Sequence, residues 1–432
     1  MNYKDYFKNK KIAIVGLGPH GEMIADIKFL LRNRVQVSLF DIRSEDRMKK
    51  HIMQLSIVGL QSIAFGKIND DELQNFDLII LSPDISMKSN FLKKSIASGV
   101  QIEYPDILFF KLAPSVTFVG VMGMCGKSTV IHLIYRMLKK SFTEYEDQGL
   151  FLIDPGSTSG ALTHLKKIKN GDVVLVRIPE HLMEHYYNIH MSPYVAVITT
   201  PISFKMLEFQ TYNNFIVASD SVVDEIKSNS NIPLKAKILR TRSASIPKEW
   251  NIDNIPIHSQ ENAALAVQTS ELFKVSKDIA KEAIQGFLGL RGHIELIKKV
   301  SGIEFYNDTA SVTPIATIAA LKTLSKDKKL IAILGGAYTG HDYSELIKNI
   351  PKYVSKIILL PGSGTIGFRN DLSKIEDIKV FQAQDLEDAV QKAKLFGEKG
   401  DIVLFSPGFD AVGVDISRKE RGERFVNAVR EL

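Results

Sequence analysis

Cysteine is almost absent from this chain of 432 residues, because Cys125 is its one thiol. A single cysteine cannot form an internal disulfide, which excludes disulfide-rich scaffolds and fits a reducing compartment. No stretch approaches the roughly 18 apolar residues of a membrane-spanning helix, and residues 1–11 are polar where a signal peptide is apolar. These absences predict a cytoplasmic protein with no membrane span.

Basic clusters interleaved with aromatic residues are also missing, although the formal net charge is +6 at pH 7. The lysines are scattered along the chain, so the composition argues against a nucleic-acid partner and favours small anionic ligands. With 45% apolar residues, the chain can bury several cores, and its length is nearer to three domains than to one at about 150 residues each. We therefore expect a globular protein of several domains.

The sequence does contain a strong phosphate-loop signal. At residues 116–134 a β-branched apolar run leads through glycines into a helical pattern, VTFVGVMGMCGKSTVIHLI. Gly123 and Gly126 allow a tight turn that points backbone N–H groups at an anion, next to the positive end of a helix dipole. Lys127 would reach the outer phosphates of a nucleotide, and the Ser128 hydroxyl would bind Mg²⁺. The alternative is a strand-to-helix turn that binds no ligand.

A second glycine-rich turn lies near the N-terminus. The apolar run KIAIV at residues 11–15 is followed by Gly16, Gly18 and Gly21 in the spacing G-x-G-x-x-G, and a second strand pattern ends at Asp41. This is the fingerprint of a dinucleotide site, with the acidic residue on a ribose. Taken alone it is weak evidence for NAD, because the turn would equally hold the diphosphate or base of another nucleotide, or have a structural role only.

Apolar runs of strand length alternate with helical patterns along the whole chain, which predicts the α/β class. We expect three domains: a Rossmann-like domain at 1–113, a central P-loop-type parallel sheet at 114–296, and a second Rossmann-like domain at 297–432. The predicted strands include 77–83 with its loop, 172–177, 194–200, 303–306, 329–334, 354–360 and 402–406. The predicted helices include 22–31, 90–98, 180–190, 261–273, 277–288 and 419–432.

Several modest motifs then follow in an order that resembles the Mur ligases. The stretch LRGHIE at 290–295 resembles the family's interdomain hinge, and Asn307-Asp308-Thr309 resembles its Asn-Asp-Ser motif. LGG at 334–336 and the SP and RG pairs at 406–407 and 421–422 resemble its last two motifs. The resemblance covers essentially the whole chain, and it is strongest to the type that adds D-glutamate to UDP-N-acetylmuramoyl-L-alanine.

The resemblance implies an ATP-dependent ligase of peptidoglycan precursor synthesis that uses Mg²⁺. A substrate carboxylate would attack the γ-phosphate, and the amine of an amino acid would displace phosphate from the acyl phosphate. The implied ATP-binding residues are Gly123, Met124, Cys125, Gly126, Lys127, Ser128, Thr129, His258, Asn262, Asn307 and Asp308. The implied residues for the UDP-linked substrate are Leu17, Gly18, Pro19, His20, Asp41 and Arg43. The implied catalytic residues are Lys127 and His293, and the implied metal ligand is Ser128.

The implied partners are a UDP-N-acetylmuramoyl peptide, an amino acid and other cell-wall enzymes. The chain nevertheless departs from the family pattern where metal and catalytic residues are expected. Arg177 stands at the position of a metal-binding glutamate, and residues 199–204 lack a metal-binding histidine. Cys125, Ala310 and His293 replace an asparagine, a lysine and an arginine, and a segment that carries a carbamylated lysine is shortened.

These departures leave three functions open. The first is the ligase activity of the family, in which Glu180 or Glu184 would replace the missing carboxylate unless they only begin a solvated helix. The second is a nucleotide-binding protein that has lost its metal centre and acts as a regulator or partner of a ligase. The third, an NAD-dependent oxidoreductase, rests on the first glycine-rich turn alone and leaves the phosphate loop unexplained.

Overall fold

The computed structural model describes residues 2–18, 21–55, 59–145, 148–155, 157–202, 204–229, 234–242, 245–250, 257–287, 289–325, 329–338, 342–375, 378–411 and 418–432. The chain forms two compact units, the first from residues 1–252 and 259–285 and the second from 253–258 and 286–432. Within the described residues, no helix is both long enough and apolar enough to cross a membrane.

The first unit begins with a five-stranded parallel sheet. Its strands are β1 (Lys11–Val15), β2 (Gln36–Asp41), β3 (Leu60–Phe65), β4 (Leu78–Leu81) and β5 (Gln101–Glu103), and its helices are α1 (Tyr3–Phe7), α2 (Ile24–Arg32), α3 (Glu45–Leu55), α4 (Asp70–Leu73), α5 (Lys93–Ala97) and α6 (Pro105–Leu112). The strand order is β3-β2-β1-β4-β5. The order reverses between β1 and β4, and ligands of such sheets bind at that switch point, where the first glycine-rich turn leaves β1.

A six-stranded parallel sheet follows in the same unit. Its strands are β6 (Thr117–Met122), β7 (Leu150–Ile153), β8 (Val173–Arg177), β9 (Val195–Ile198), β10 (Phe215–Ser219) and β11 (Lys237–Thr241), and its helices are α7 (Lys127–Tyr145), α8 (Met183–Asn188), α9 (Asp220–Asn229), α10 (Ile257–Glu271) and α11 (Lys277–Gln285). The order is β11-β10-β9-β6-β8-β7, so the strand before the phosphate loop is central. One cluster of buried apolar side chains includes residues of both sheets.

The second unit contains the third sheet. Its strands are β12 (Glu295–Val300), β13 (Ile303–Asn307), β14 (Leu330–Leu334), β15 (Val354–Leu359), β16 (Lys379–Gln382) and β17 (Ile402–Phe405), and its helices are α12 (Pro314–Leu324), α13 (Ser344–Tyr353), α14 (Ser363–Leu372), α15 (Leu386–Phe396) and α16 (Arg418–Arg430). The order is β12-β13-β17-β14-β15-β16, with β12 antiparallel to β13. Alternate residues of β14 belong to two separate apolar clusters, because successive side chains of a strand point to opposite faces.

The predicted α/β class with parallel sheets is confirmed, and each predicted strand named above is present within two residues of its predicted ends. The predicted helix at 180–190 is divided into a 3-10 turn, Glu180–Leu182, and the short helix α8. Six strands were not predicted from the sequence, and all of them lie at or next to sheet edges: β3, β7, β10, β11, β12 and β16. The two compact units do not test the three predicted domain boundaries, which stay a prediction.

Candidate nucleotide site

The phosphate loop lies at the carboxyl edge of the central sheet. Residues 123–126 connect the end of β6 to the first turn of α7. The neighbouring strands β8 and β9 end at the same edge, because all three strands are parallel. Lys127 is the first residue of α7, and Ser128 and Thr129 follow it, all three partly buried. A helix N-terminus flanked by two strand ends is a suitable place for an anionic ligand.

Two glycines of the loop are required by their surroundings. Gly123 has φ +133°, and a Cβ there would lie 2.1 Å from Oγ1 of Thr199. Gly126 has φ +83°, and a Cβ there would lie 2.5 Å from Oδ1 of Asn262. Residues with a side chain rarely adopt these backbone angles, and both distances are shorter than a Cβ contact in a real structure. The predicted ATP residue Asn262, on α10, therefore does lie against the loop.

Two threonines at the end of β9 hold the loop in place. The Thr199 hydroxyl donates to the carbonyl oxygens of Met122, at 3.1 Å, and Cys125, at 2.5 Å. The backbone N–H of Met124 donates to Oγ1 of Thr200 at 2.7 Å. From the sequence, this stretch was predicted only to lack a metal-binding histidine. The available signal was a pair of hydroxyl residues directly after an apolar strand.

The Lys127 side chain folds back over its own loop. Its ammonium group donates to the carbonyl oxygens of Gly123 and, at 3.0 Å, of Met124. Burial first, and the positive charge of Arg177 second, lower the pKa of Lys127 to about 8, against smaller opposite effects of Cys125, Glu180 and Asp154. The carbonyl oxygens are neutral acceptors, whereas a bound phosphate would give the Lys127 ammonium group an anionic partner.

Arg177 is the second cation at this edge. It is the last residue of β8 and pairs in register with Val121 of β6. Its Nε and Nη2 lie 2.6 Å and 2.5 Å from Oδ1 of Asp154, the residue after β7. Both side chains are about one-fifth exposed, at 19% and 20%. Arg177, which stands where the resemblance implies a metal-binding glutamate, is therefore already paired with a carboxylate.

The candidate carboxylates of the metal position are paired with cations or exposed, and they are not grouped around one point. In the part of the chain that the structure describes, no three His, Cys, Asp or Glu side chains are grouped so as to hold a metal ion. Of the two candidate replacement carboxylates, Glu184 lies 3.5 Å from the ammonium of exposed Lys88, and Glu180 is exposed on its 3-10 turn. The assignment of Ser128 as a metal ligand stays a prediction.

The first glycine-rich turn is built around Asp41, at the end of β2. Oδ2 of this buried carboxylate accepts from the N–H of Leu17 at 2.8 Å and from Nη2 of Arg43 at 2.6 Å, while Oδ1 accepts from Arg43 Nε at 2.8 Å. Burial raises the pKa of Asp41, but these hydrogen bonds outweigh it and hold the pKa below its ordinary value. Both carboxylate oxygens of Asp41 therefore accept hydrogen bonds from the protein. These bonds stabilise the turn at Leu17 and fix the Arg43 side chain beside it.

The structure describes only some of the other residues predicted to bind the substrates. Gly18 has φ +79°, and a Cβ there would lie 2.1 Å from Oε2 of Glu22. The predictions for Pro19 and His20 fall outside the described residues, as does the side chain of His258 at the start of α10. Their proposed roles stay predictions.

The predicted ATP contacts of the second unit lie within a buried network. Asn307 accepts from the Thr309 N–H at 3.2 Å, and the Ser406 hydroxyl donates to Oδ2 of Asp308 at 2.7 Å. Burial raises the pKa of Asp308 to about 7. Both predicted ATP residues are only 3% exposed, so the structure shows them bracing their own unit, and their contact with ATP stays a prediction.

The predicted catalytic histidine lies on the surface of the second unit. His293 is exposed, and its Nδ1 lies 3.2 Å from the carbonyl oxygen of Arg291. The segment around it is held to the buried network, because the N–H of Ile294 donates to Oδ1 of Asp308 at 3.2 Å. This geometry places the ring next to solvent and leaves its catalytic role a prediction.

Comparisons with known proteins agree on one relationship. The family model of the Mur ligase MurD-like N-terminal domain matches residues 10–103, and that of the Mur ligase glutamate ligase domain matches residues 292–409. A UDP-N-acetylmuramoylalanine–D-glutamate ligase of Roseiflexus sp. (strain RS-1) is 25% identical, with 98% of this chain and 99% of that protein aligned. A protein of the same name from Thermoanaerobacter sp. (strain X514) is 27% identical, with 98% and 99% aligned.

Solved structures show the same fold. The UDP-N-acetylmuramate-alanine ligase MurC of Thermotoga maritima has a TM-score of 0.58 at 15% identity, covering 98% of this chain and 100% of that one. The murein peptide ligase Mpl of Psychrobacter arcticus has a TM-score of 0.57 at 14% identity, covering 98% and 99%. The protein is thus related over its whole length to the Mur ligases, and its N-terminal and C-terminal parts carry Mur ligase domains.

Proposed function

We propose that this protein is an ATP-dependent, amide-bond-forming ligase of peptidoglycan precursor synthesis. The observation that carries the proposal is the phosphate loop in a chain that aligns end to end with ligases. Thr199 and Thr200 hold this loop by hydrogen bonds, and Lys127 follows it as the first residue of α7. The substrates would be UDP-N-acetylmuramoyl-L-alanine and an amino acid, D-glutamate by relationship. ATP would occupy the loop, and the UDP end would lie at the turn presented by Asp41 and Arg43.

The reaction would proceed in two steps. A carboxylate oxygen of the UDP-linked substrate forms a bond to the γ-phosphorus of ATP, and the bond to the β-phosphate oxygen breaks, releasing ADP. The amine of the amino acid then attacks the carbonyl carbon of the acyl phosphate and loses a proton, and inorganic phosphate leaves. Such chemistry depends on positioning and on neutralising phosphate charge, so Lys127 and the backbone N–H groups of the loop would make the main contribution of this chain.

A nucleotide-binding protein without turnover is the second candidate, and one observation favours it. Arg177 is bonded to Asp154 at the edge where the relatives' chemistry would place a metal ion. Each missing group that steadies the transferred phosphoryl typically lowers a rate by about ten to a thousandfold. Several such losses together would leave nucleotide binding intact and ligation undetectable.

One assay separates the two candidates. Phosphate release from ATP is followed with UDP-N-acetylmuramoyl-L-alanine, with and without D-glutamate, in buffer that contains MgCl₂. Release that requires both substrates, together with the mass of the ligated product, would support the ligase. Binding of ATP without any substrate-dependent release would support the second candidate, and D-glutamate-independent release would contradict the proposed second step.

A further inference from the structure

We propose that Arg177 takes the place of a divalent cation at the phosphate loop, so that this protein binds ATP without Mg²⁺. The inference rests on the proposed ATP site and concerns how that site neutralises the triphosphate. Lys127 and Arg177 together supply two positive charges at one strand edge, where a loop of the usual type has one lysine and a metal ion.

The position of Arg177 follows from the sheet. β8 is the direct neighbour of β6, and Arg177 pairs in register with Val121, two residues before the loop begins at Gly123. The N–H of Ile178 donates to the carbonyl oxygen of Val121 at 3.0 Å, so the two strands stay paired up to the loop. Neighbouring strands lie about 4.8 Å apart, so the end of β8 lies directly beside the end of β6, from which the loop leaves.

The charges at this edge support the same conclusion. Lys127 begins the helix that follows β6, and Arg177 is the last residue of the neighbouring strand β8, so both cations lie at one edge of the sheet. A partly buried pair of like charges is unfavourable on its own and becomes favourable when an anion lies between them. The carboxylate of Asp154 opposes these charges and accepts both guanidinium contacts of Arg177.

The donor atoms suit a phosphate better than a metal ion. Asp154 holds Arg177 through Nε and Nη2, both aimed at a single oxygen, Oδ1. A planar guanidinium presents five N–H donors, so this contact leaves other donors to face a phosphate oxygen. Mg²⁺ requires oxygen ligands close to octahedral geometry, and a fixed positive charge at the same edge opposes its binding.

The test measures ATP affinity by titration calorimetry of the full chain, in MgCl₂ and in EDTA. The wild-type dissociation constant is expected to agree within about threefold between the two buffers. Arg177→Gln should weaken ATP in EDTA by about ten- to a hundredfold, the effect of losing a charged hydrogen-bonded contact. Mg²⁺ should partly restore that variant, because the Asp154 carboxylate is no longer bonded to a guanidinium and can accept a cation.

Three further variants sharpen the result. Asp154→Asn should strengthen ATP binding in EDTA, because the guanidinium loses its competing anion. Arg177→Lys keeps the positive charge and should retain most of the metal-free binding, which separates charge from a folding defect. Arg424→Gln removes the bidentate pair with Glu387 in the second unit and is the matched control, expected to bind as the wild type does.

The outcomes are distinct. ATP binding by the wild type that weakens more than tenfold in EDTA, or equal affinities of the wild type and Arg177→Gln in EDTA, would overturn this inference and leave the ligase function standing. Absence of ATP binding in both buffers would overturn the proposed function and this inference together. Metal-free binding that depends on Arg177 would support the inference whether or not the protein ligates.

Discussion

Replacing Lys127 with methionine should make the protein more stable while it binds ATP less well. Methionine keeps most of the apolar stem and removes the ammonium group. The pKa of Lys127 is lowered by burial from 10.5 to about 8, so the folded state holds this proton less tightly than the unfolded state does. At about 1.4 kcal/mol per pKa unit, the charge costs the folded state roughly 3 kcal/mol at pH 7.

The hydrogen bonds of the ammonium group offset part of that gain. Methionine cannot donate to the carbonyl oxygens of Gly123 and Met124, which costs about 1–2 kcal/mol. The variant should therefore gain about 1–2 kcal/mol in free energy of unfolding at pH 7. The pKa of Lys127 is lower in the folded state than in the unfolded state. The stability of the wild type therefore rises relative to that of the variant as the pH increases from 8 to 10.5. The difference between the two proteins should shift by about 2 kcal/mol between pH 7 and pH 9.5.

The measurement uses the single tryptophan. Trp250 is buried in the first unit, so its fluorescence during urea unfolding reports on the unit that contains Lys127. Lys139→Met, which changes an exposed lysine of the same helix, is the control and should show no such pH dependence. ATP affinity of Lys127→Met should fall by about tenfold or more. A variant that is less stable at pH 7, with the same difference from wild type at pH 9.5, would refute the reasoning.

Three more changes have definite expected outcomes. Gly126→Ala should abolish ATP binding in calorimetry, because the new Cβ would lie 2.5 Å from Asn262 Oδ1 at a φ of +83°; retained affinity would show that the loop can adjust. Asp26→Asn should raise the melting temperature at pH 8 and have little effect at pH 4. Burial raises the pKa of Asp26 to about 7, so the stability of the wild type falls as the pH rises from about 4 to 7. Equal shifts of the melting temperature at both pH values would contradict this reasoning. Arg43→Ala should lower the free energy of unfolding at pH 7 by about 3 kcal/mol, because it removes the guanidinium that pairs with the buried carboxylate of Asp41. The loss should shrink below pH 4, where the unfolded state is protonated. A neutral effect in urea unfolding would show that the backbone N–H groups of residues 17 and 43 are sufficient for the carboxylate.

The sequence alone was sufficient for the elements that depend on consecutive residues. The strand, glycine turn and helix around Gly123 and Lys127 were predictable, because apolar periodicity, turn chemistry and the helix start all lie within about 20 neighbouring residues. The first turn around Gly16 and Asp41 was predictable for the same reason. Edge strands such as β7 and β16 were not identified, since they are short and their side chains are only partly buried, so the apolar pattern is weak.

Only the tertiary structure decided what surrounds the phosphate loop. Asp154 meets Arg177 because β7 and β8 are neighbours in the sheet order, and no local pattern relates these two positions. Thr199 reaches the loop for the same reason, through β9. Asp308, which the resemblance implies as an ATP-binding residue, is a buried acceptor for Ser406 of its own unit, and its contact with ATP stays a prediction. Sequence determines local geometry through neighbouring side chains, whereas the charge balance of a site depends on which strands the sheet brings side by side.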